Sequence, residues 1–325
     1  MTRVLRGGID LGGTKIQAVV IDDEHNVRGQ ARRRTPTQGG PRAVAEEIAG
    51  ATREAALAAG VGSSELIGVG VGSPGEIDDV AGTVSEAGNL PAWQGTYELG
   101  PVVAELVGTQ VRLENDVRVA TDAEARLGAG RPYHSLLGVF WGTGIGGALI
   151  LEGRPWLGQD AAGEIGHTVV QHAGGRQCPC GRRGCLEAYA GRGAMEARAR
   201  KLHRGGQKTK LFKLMKKRGR DRLTSGVWAR ALGKNDKLAI ELIDDAVDAL
   251  GAGIASAVNL LDVEAVIIGG GLGVRLGRRY ARRIETAMRP HLFAKDHRPA
   301  VHVAALGDLG GAIGAALLVS AQEAQ

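Results

Sequence analysis

The chain contains the same short design twice: a strand, a glycine-rich turn and a return strand. The first copy is predicted at 4–22, around Gly12-Gly13-Thr14-Lys15, and the second at 135–151, around Gly142-Thr143-Gly144. Both copies read as β-hairpins, because a strand follows the glycines where a Rossmann or Walker motif requires a helix. The repetition predicts an α/β protein with a duplicated, hairpin-led core.

The composition is that of a globular chain large enough for two cores, with 325 residues of which 43% are hydrophobic. A formal net charge of +6 modestly favours anionic partners such as nucleotides. Aromatic residues make up only 3%, so a base-stacking surface is poorly supplied and we expect no nucleic-acid partner. The chain starts without a signal-peptide core and has no bilayer-spanning apolar run, so we expect a cytoplasmic protein with no membrane partner.

Helical periodicity and apolar runs predict the remaining elements. Helices are predicted at 41–60, 117–127 and 237–261, and strands at 66–71, 111–114, 263–268 and 300–304. We expect two domains. The first comprises residues 1–116, completed by the C-terminal helix at about 308–325, and the second comprises residues 117–307.

All three cysteines stand in Cys178-Pro-Cys180-Gly-Arg-Arg-Gly-Cys185, and His167 lies a short way upstream. Three thiolates and one imidazole are a ligand set for tetrahedral zinc, and the intervening glycines allow the backbone to fold tightly around one ion. The alternatives are a disulfide with a spare thiol, or buried apolar cysteines, against which the Arg182-Arg183 pair speaks. The pattern favours a structural Zn²⁺ ion held by His167, Cys178, Cys180 and Cys185.

Each hairpin turn offers backbone N–H groups that can approach a phosphate without interference from a Cβ atom. Asp10 could hold Mg²⁺ through water, although an acid at a strand end beside a turn is the plain alternative. Thr14, Lys15 and Thr143 are candidates to contact the phosphates of a nucleotide. The Gly269-Gly270-Gly271 triplet follows a buried strand and either accommodates an adenosine or forms a tight strand-to-helix turn.

Asp116 stands where a predicted strand ends and a helix begins, and it is the candidate general base. Phosphate transfer to an alcohol requires an acceptor for the hydroxyl proton close to the attacking oxygen. The alternative role is helix N-capping, for which Asp is among the preferred residues. The neighbouring Asn115 and the two phosphate turns favour the base.

Other polar side chains could bind a sugar. Asn89, which precedes Leu-Pro, could bond a hydroxyl or serve as an ordinary turn residue. Glu164 and Glu187 flank the cysteines and could accept bonds from vicinal hydroxyls, or they could supply favourable charge at helix starts. His167 could use one ring nitrogen for zinc and the other for a hydroxyl.

The segment 198–234 is strongly basic. A nucleic-acid or polyphosphate contact is one interpretation of it. Apolar residues recur within the segment as on one side of an amphipathic helix, so a solvated helical face is favoured.

Together these motifs resemble the ROK family of sugar kinases, and most of all its bacterial glucokinases, over essentially the whole chain. The matching segments are Asp10-Leu-Gly-Gly-Thr-Lys15 and Trp141-Gly-Thr-Gly144 for phosphate, Gly269-Gly-Gly271 for adenosine, Glu114-Asn-Asp116 for the catalytic aspartate, and Gly163-Glu-Ile-Gly-His167 with Cys178 to Glu187 for zinc and sugar. The last signature is the most specific.

The resemblance implies an actin-like (ribonuclease H-like) two-domain ATPase fold, usually homodimeric, that uses ATP and Mg²⁺ to phosphorylate a hexose. It implies that Asp116 deprotonates the 6-hydroxyl of glucose. The sugar-binding set that it implies is Gly75, Asn89, Asn115, Asp116, Glu164, His167 and Glu187.

Repressors of the family carry an added N-terminal winged helix, for which we expect no room in this chain. Fructose, mannose or N-acetylmannosamine as acceptor, polyphosphate as donor, and a sugar-sensing regulatory role are the alternatives.

Overall fold

The computed structural model describes residues 4–88, 90–296 and 298–320. The strands are β1 (Arg6–Leu11), β2 (Lys15–Ile21), β3 (Val27–Arg34), β4 (Val69–Ser73), β5 (Glu76–Asp78), β6 (Thr83–Ser85), β7 (Val111–Asn115), β8 (Leu136–Trp141), β9 (Ile145–Leu151), β10 (Arg154–Trp156), β11 (Ala265–Gly269) and β12 (Ala300–Val303). The helices are α1 (Gly40–Ala58), α2 (Leu99–Val107), α3 (Asp116–Leu127), α4 (Glu187–Ala190), α5 (Arg192–Arg204), α6 (Leu211–Lys217), α7 (Ser225–Leu232), α8 (Lys237–Leu261), α9 (Gly270–Met288) and α10 (Gly310–Ala316).

The chain divides into two compact units. The first comprises the chain up to Gly128 together with the chain from Ala305 onward, and the second comprises residues 129–304. The expected boundary at residue 116 differs from this division by the length of α3. That helix belongs to the first unit because it packs against α10 and β4.

The first unit is built on a sheet with the strand order β3-β2-β1-β4-β7. The hairpin strands β1 and β2 are antiparallel, while β4 and β7 run parallel to β1. Side chains alternate between the faces of β2, so that Val20 packs in the cluster that contains α1 and Val19 packs against α10. Both faces of this sheet are therefore covered by helices.

Two glycines allow α10 to lie directly on the first sheet. A Cβ atom added to Gly8 would run into the carbonyl oxygen of Ala312, and one added to Gly70 would run into that of Ala315. The C-terminal helix that the sequence predicts is thus part of the first unit. Its observed bounds end at Ala316, and residues 321–325 of the predicted range lie outside the described residues.

The second unit repeats the same sheet with the strand order β10-β9-β8-β11-β12. Strands β8 and β9 form the antiparallel hairpin, while β11 and β12 run parallel to β8. Helices α8 and α9 pack against each other, and α9 also contacts β8, β11 and β12. The prediction of a duplicated, hairpin-led α/β core is confirmed.

No helix within the described residues is long and apolar enough to cross a membrane.

Candidate functional site

Asp10 lies near the end of β1, next to the hairpin turn of the first unit. The N–H of Gly12 donates to the carbonyl oxygen of Lys15 at 2.9 Å, and the Thr35 hydroxyl donates to the carbonyl of Gly12 at 2.5 Å. Burial raises the pKa of Asp10, Lys15 acts in the opposite direction, and the carboxylate of Asp308 raises that pKa further. A buried carboxyl group with a second carboxylate nearby is one that a cation would stabilise in its charged form.

Asp308, which sequence analysis did not single out, lies in the 3₁₀ turn Gly307–Leu309 immediately before α10. The start of α10 also approaches the carboxyl group of Asp10 closely, because a Cβ atom added to Gly311 would lie 3.0 Å from Cγ of Asp10. The only sequence signal was the position of Asp308 just ahead of the Gly310-Gly311 pair.

The hairpin turn of the second unit is anchored at both of its ends. The indole N–H of Trp141 donates to the carbonyl of Ala190 at 2.7 Å, and the N–H of Ile145 donates to the carboxylate of Glu187 at 2.8 Å. The carboxylate of Glu187 packs so closely on Gly144 that a Cβ atom there would overlap it. The turn is consequently tied to the segment that follows the cysteines.

The glycine triplet lies at the same edge of the second sheet as this turn. Gly269 pairs with Phe140 in the parallel register of β11 and β8, and α9 begins at the next residue. Gly270 has a φ of +75°, and a Cβ atom there would lie 2.6 Å from the carbonyl oxygen of Trp141. The triplet is thus a strand-to-helix turn, and it lies close to the predicted phosphate turn.

Asp116 is the first residue of α3, and its neighbour Asn115 is the N-cap. The side chain of Asn115 accepts hydrogen bonds from the N–H groups of Val117 at 3.0 Å and Arg118 at 3.3 Å. The carboxylate of Asp116 accepts from the N–H of Val117 at 2.9 Å. The position of Asp116 at a helix N-terminus favours a negative charge. The N-cap position, which was the alternative role for Asp116, is occupied by Asn115.

The turn around Gly75 requires glycine. Gly75 has a φ of +101°, and a Cβ atom there would lie 3.1 Å from Cα of Ala87. Asn89, the other sugar-binding candidate in this part of the chain, lies outside the described residues.

The four predicted zinc ligands converge, and their ligand atoms all lie within 4.8 Å of one another. The sulfur atoms of Cys180 and Cys185 are 3.8 Å apart, and Sγ of Cys178 is 3.9 Å from Nδ1 of His167. Zn–S bonds of about 2.3 Å in a tetrahedron place two sulfur atoms about 3.8 Å apart, whereas a disulfide bond is about 2.05 Å long. The three cysteines are free thiols, and their arrangement fits a tetrahedral metal ion.

The local backbone and charge also suit a metal. Gly181 and Gly184 have φ values of +86° and +83°, which turn the chain between the ligands. The Arg182 side chain lowers the pKa of the Cys180 thiol to about 6, while burial raises that of Cys178 to about 12. A bound divalent cation overrides such differences, because a coordinating thiol is deprotonated outright.

The turn that carries Glu164 and His167 lies against the backbone of Ile145, and so does the carboxylate of Glu187. His167 closes a 3₁₀ turn that Glu164 precedes, and a Cβ atom added to Gly166 in that turn would lie 3.0 Å from the carbonyl carbon of Ile145. The N–H of the same residue is bonded to Glu187. The segments that carry the sugar-binding candidates of the second unit therefore both contact the residue that follows the predicted phosphate turn.

Arg192, the first residue of α5, lies outside every motif singled out in the sequence. Its guanidinium donates to the Thr143 hydroxyl at 2.6 Å. The only sequence signal was the Gly191-Arg-Gly193 run downstream of the cysteines, and it carried no indication of contact with a turn so distant in the chain.

The basic stretch forms helices α5, α6 and α7. Leu211 and Met215 of α6 are buried, whereas Lys213, Lys216 and Lys217 are exposed. The prediction of a solvated basic face on an amphipathic helix is confirmed.

Comparison with known proteins agrees with this geometry. The sequence model of the ROK family matches residues 6–322. A glucokinase of Thermotoga maritima is 32% identical over 82% of this chain and 81% of that protein. The N-acetylgalactosamine kinase AgaK of Shewanella sp. is 31% identical over 96% of this chain and 95% of that protein.

Among solved structures, a ROK family glucokinase from Streptomyces griseus in complex with glucose and AMPPNP has a TM-score of 0.80. It is 31% identical, and the match covers 97% of this chain and 99% of that chain. The actin-like ATPase fold that the resemblance implied is confirmed.

Proposed function

The chain belongs to the ROK family and is a sugar kinase, and on that premise we propose that it is a glucokinase that phosphorylates the 6-hydroxyl of glucose with ATP. The observation that carries the proposal is the placement of Asp116. Asp116 stands directly after β7 as the first residue of α3, where the helix N-terminus favours a negative charge, and the N-cap of that helix is Asn115. Similarity to glucokinases favours glucose, while the 31% identity to an N-acetylgalactosamine kinase makes the acceptor a matter for experiment.

In the proposed reaction Asp116 is the general base. The oxygen of the sugar's 6-hydroxyl attacks the γ-phosphorus of ATP while its proton passes to the carboxylate of Asp116. The bond between the γ-phosphorus and the bridging oxygen breaks, and ADP leaves with the electron pair. The products are glucose 6-phosphate and ADP.

Both hairpin turns would bind the donor. Their residues are Asp10, Gly12, Gly13, Thr14 and Lys15 in the first unit and Gly142, Thr143 and Gly144 in the second, with Gly269, Gly270 and Gly271 on the adenosine side. Asp10 would hold Mg²⁺ through water, and its burial near a second carboxylate fits a cation. When bound, Mg²⁺ neutralises charge on the phosphates.

The sugar would be held by Gly75, Asn89, Asn115, Glu164, His167 and Glu187 in addition to Asp116. Nδ1 of His167 faces the cysteine sulfur, so Nε2 is the ring nitrogen that would bond a hydroxyl. Zn²⁺ held by His167 and the three cysteines would be structural, since all four protein ligands of a closed tetrahedral site are supplied.

The test is a coupled kinase assay with purified protein over glucose, mannose, fructose, N-acetylmannosamine, N-acetylglucosamine and N-acetylgalactosamine. Each sugar is paired with ATP and, separately, with polyphosphate. We expect the highest kcat/KM for glucose with ATP. A higher value for an N-acetylated sugar would overturn the proposed acceptor, and a higher value with polyphosphate would overturn the proposed donor. Turnover of no sugar, with sugar binding retained, would favour the regulatory alternative.

A further inference from the structure

Arg192 is fixed on the hairpin turn of the second unit by main-chain and side-chain contacts. Its backbone N–H donates to the carbonyl of Gly142 at 3.3 Å, and the next N–H, that of Gly193, donates to the carbonyl of Thr143 at 2.9 Å. Its guanidinium bonds the Thr143 hydroxyl at 2.6 Å and reaches the Ser225 hydroxyl at 3.4 Å. The guanidinium therefore spans two hydroxyl groups that belong to different elements.

The Ser225 hydroxyl, which the guanidinium of Arg192 reaches, also lies close to the glycine triplet. A Cβ atom added to Gly271 would lie 3.5 Å from Oγ of Ser225. Contacts therefore connect the turn proposed to bind phosphate, through Arg192 and Ser225, with the glycines proposed to border the adenosine. A nucleotide bound in that order would place its phosphate chain near Arg192.

A second arginine approaches the same place. A Cβ atom added to Gly193 would lie 3.7 Å from Nη2 of Arg222 and 3.5 Å from the carbonyl oxygen of Thr143. Partial burial lowers the pKa of Arg192, and the neighbouring charge of Arg222 lowers it further. Because arginine stays protonated in proteins, two cationic groups converge beside the turn.

The nearest carboxylate, that of Glu196, offsets this charge only in part. Among the residues that the structure describes, no acidic oxygen lies within the 4.0 Å ion-pair distance of Arg192. The acid that acts on it electrostatically, Glu196, is bonded to Arg200 at 2.6 Å and to the N–H of Leu223 at 2.9 Å. Arg222 reaches the same carboxylate only at 4.0 Å. The site thus has positive charge and hydroxyl donors to offer to an anion.

We propose that Arg192, assisted by Arg222 and the hydroxyls of Thr143 and Ser225, binds the phosphate chain of the phosphoryl donor. The proposal rests on the proposed function, which assigns the Thr143 turn to phosphate. A guanidinium carries several N–H donors in a rigid fork that suits phosphate oxygens, and such charge-assisted bonds are stronger than neutral ones. Arg192 is then a donor-binding residue that no sequence motif had indicated.

The test measures binding rather than turnover. Isothermal titration calorimetry of the full-length protein with AMPPNP and, separately, with adenosine compares the wild type with Arg192→Gln and Arg192→Lys. We expect Arg192→Gln to weaken AMPPNP binding by about 10- to 100-fold and adenosine binding by less than about twofold. Arg192→Lys should recover part of the lost AMPPNP affinity, because it keeps the charge but not the fork.

The matched control is Arg204→Gln, which removes an exposed arginine from the other end of the same helix and should leave both affinities unchanged. An AMPPNP affinity of Arg192→Gln within twofold of the wild type would overturn the proposal. Equal losses for AMPPNP and adenosine would also overturn it, because they would mean that Arg192 only supports the turn. If Arg192→Gln does not fold, Arg192→Lys and Arg222→Gln carry the test by the same criteria.

The outcome can be separated from that of the proposed function. If the wild type phosphorylates glucose and Arg192→Gln binds AMPPNP normally, only the present inference fails. If Arg192→Gln loses AMPPNP affinity selectively but the wild type phosphorylates no hexose, only the proposed reaction fails.

Discussion

The two units share a sheet but differ in what their sequences place at its edge. Both have a central hairpin, an antiparallel outer strand and two parallel strands in the same order. The turn of the first unit has the carboxyl group of Asp10 beside it, whereas the turn of the second has the guanidinium of Arg192. The same sheet architecture thus has a carboxyl group beside its turn in one copy and a guanidinium in the other.

The last parallel strands differ in the same way. Strand β7 runs into Asn115 and Asp116 at the start of α3, while its counterpart β12 ends at Val303 and is followed by Ala304. Only the first unit has a carboxylate at this position. The candidate base is therefore a feature of one copy and not of the shared frame.

The largest expected effect comes from replacing Asp116, the candidate base that only the first unit has. Asp116→Asn should lower kcat with glucose and ATP by about 10²- to 10⁴-fold, because general-base catalysis contributes that much. Glucose binding, measured by calorimetry, should remain detectable. Asp122→Asn, on the same helix and paired with Arg126, is the matched control and should keep ordinary turnover. Ordinary rates for Asp116→Asn would show that the assigned base is wrong.

The second prediction concerns the cluster of four candidate metal ligands, which lies in the second unit and, among the described residues, has no counterpart in the first. Cys180→Ser should lower the melting temperature by on the order of 10 °C, because the binding energy of a structural zinc ion is folding energy. Glucose affinity should fall with it, since the cluster includes His167 and Glu187 follows Cys185 by two residues. Thermal melting, zinc content and calorimetry measure the three quantities.

The control for that variant is Arg183→Gln, which changes an exposed side chain inside the cysteine loop without removing a ligand. It should retain zinc and melt like the wild type. Unchanged melting and glucose affinity in metal-stripped protein would contradict the link between the cluster and the sugar.

A pair of glycine variants sharpens the description of the second turn. Gly144→Ala should reduce the free energy of unfolding by about 1–3 kcal/mol, because its Cβ atom would overlap the carboxylate of Glu187. Gly142→Ala should change it by less than about 0.5 kcal/mol, since the atom nearest to its Cβ would be the carbonyl oxygen of Gly144 at 3.8 Å. Urea unfolding measures both, and equal losses would show that Glu187 does not brace the turn.

The smallest effect concerns the connection after the first hairpin. Asp22 accepts hydrogen bonds from the N–H groups of Glu24 and Asn26 and pairs with Arg28, whereas the equivalent connection in the second unit is a short turn through Glu152 and Gly153. Burial opposes the charge of Asp22, but these hydrogen bonds prevail and lower its pKa from 3.8 to about 2.

A carboxyl group whose pKa is lower in the folded protein than in the unfolded chain stabilises the folded protein at pH values above its unfolded-state pKa. This contribution is lost as the pH falls through the folded-state pKa. Asp22→Asn should therefore cost up to about 2 kcal/mol at pH 7. The difference from the wild type should shrink between pH 4 and pH 2, as measured by urea unfolding. Asp23→Asn, at the exposed neighbouring position, is the control, and a pH-independent difference for Asp22→Asn would contradict the assignment.

Much of the fold could be predicted because its signals are local. Helix α8 has the predicted bounds of 237–261, and β9 has those of the return strand that follows Gly144. Strand β3 was not predicted, because its sequence from Val27 to Arg34 is rich in arginine and exposed along an edge of the sheet. Helix α9 was not predicted either, since it opens with glycines and is interrupted at Gly277.

Sequence alone could indicate a candidate site where its residues lie close together along the chain. The cysteine cluster is such a case, because three of its four ligands stand within eight positions. The role of Asp116 as base or as N-cap was open, because aspartate is a preferred N-cap residue and only the coordinates show that Asn115 occupies the N-cap position.

The sequence by itself determined the repeated hairpins, the candidate metal ligands and the residue types available for the proposed phosphate transfer, because periodicity and spacing encode them locally. Only the tertiary structure decided that Arg192 reaches Thr143, that Asp308 lies near Asp10 and that Glu187 braces Gly144. These contacts join segments far apart along the chain. They arise from the packing of helices against the sheets, for which no short stretch of sequence carries a signal.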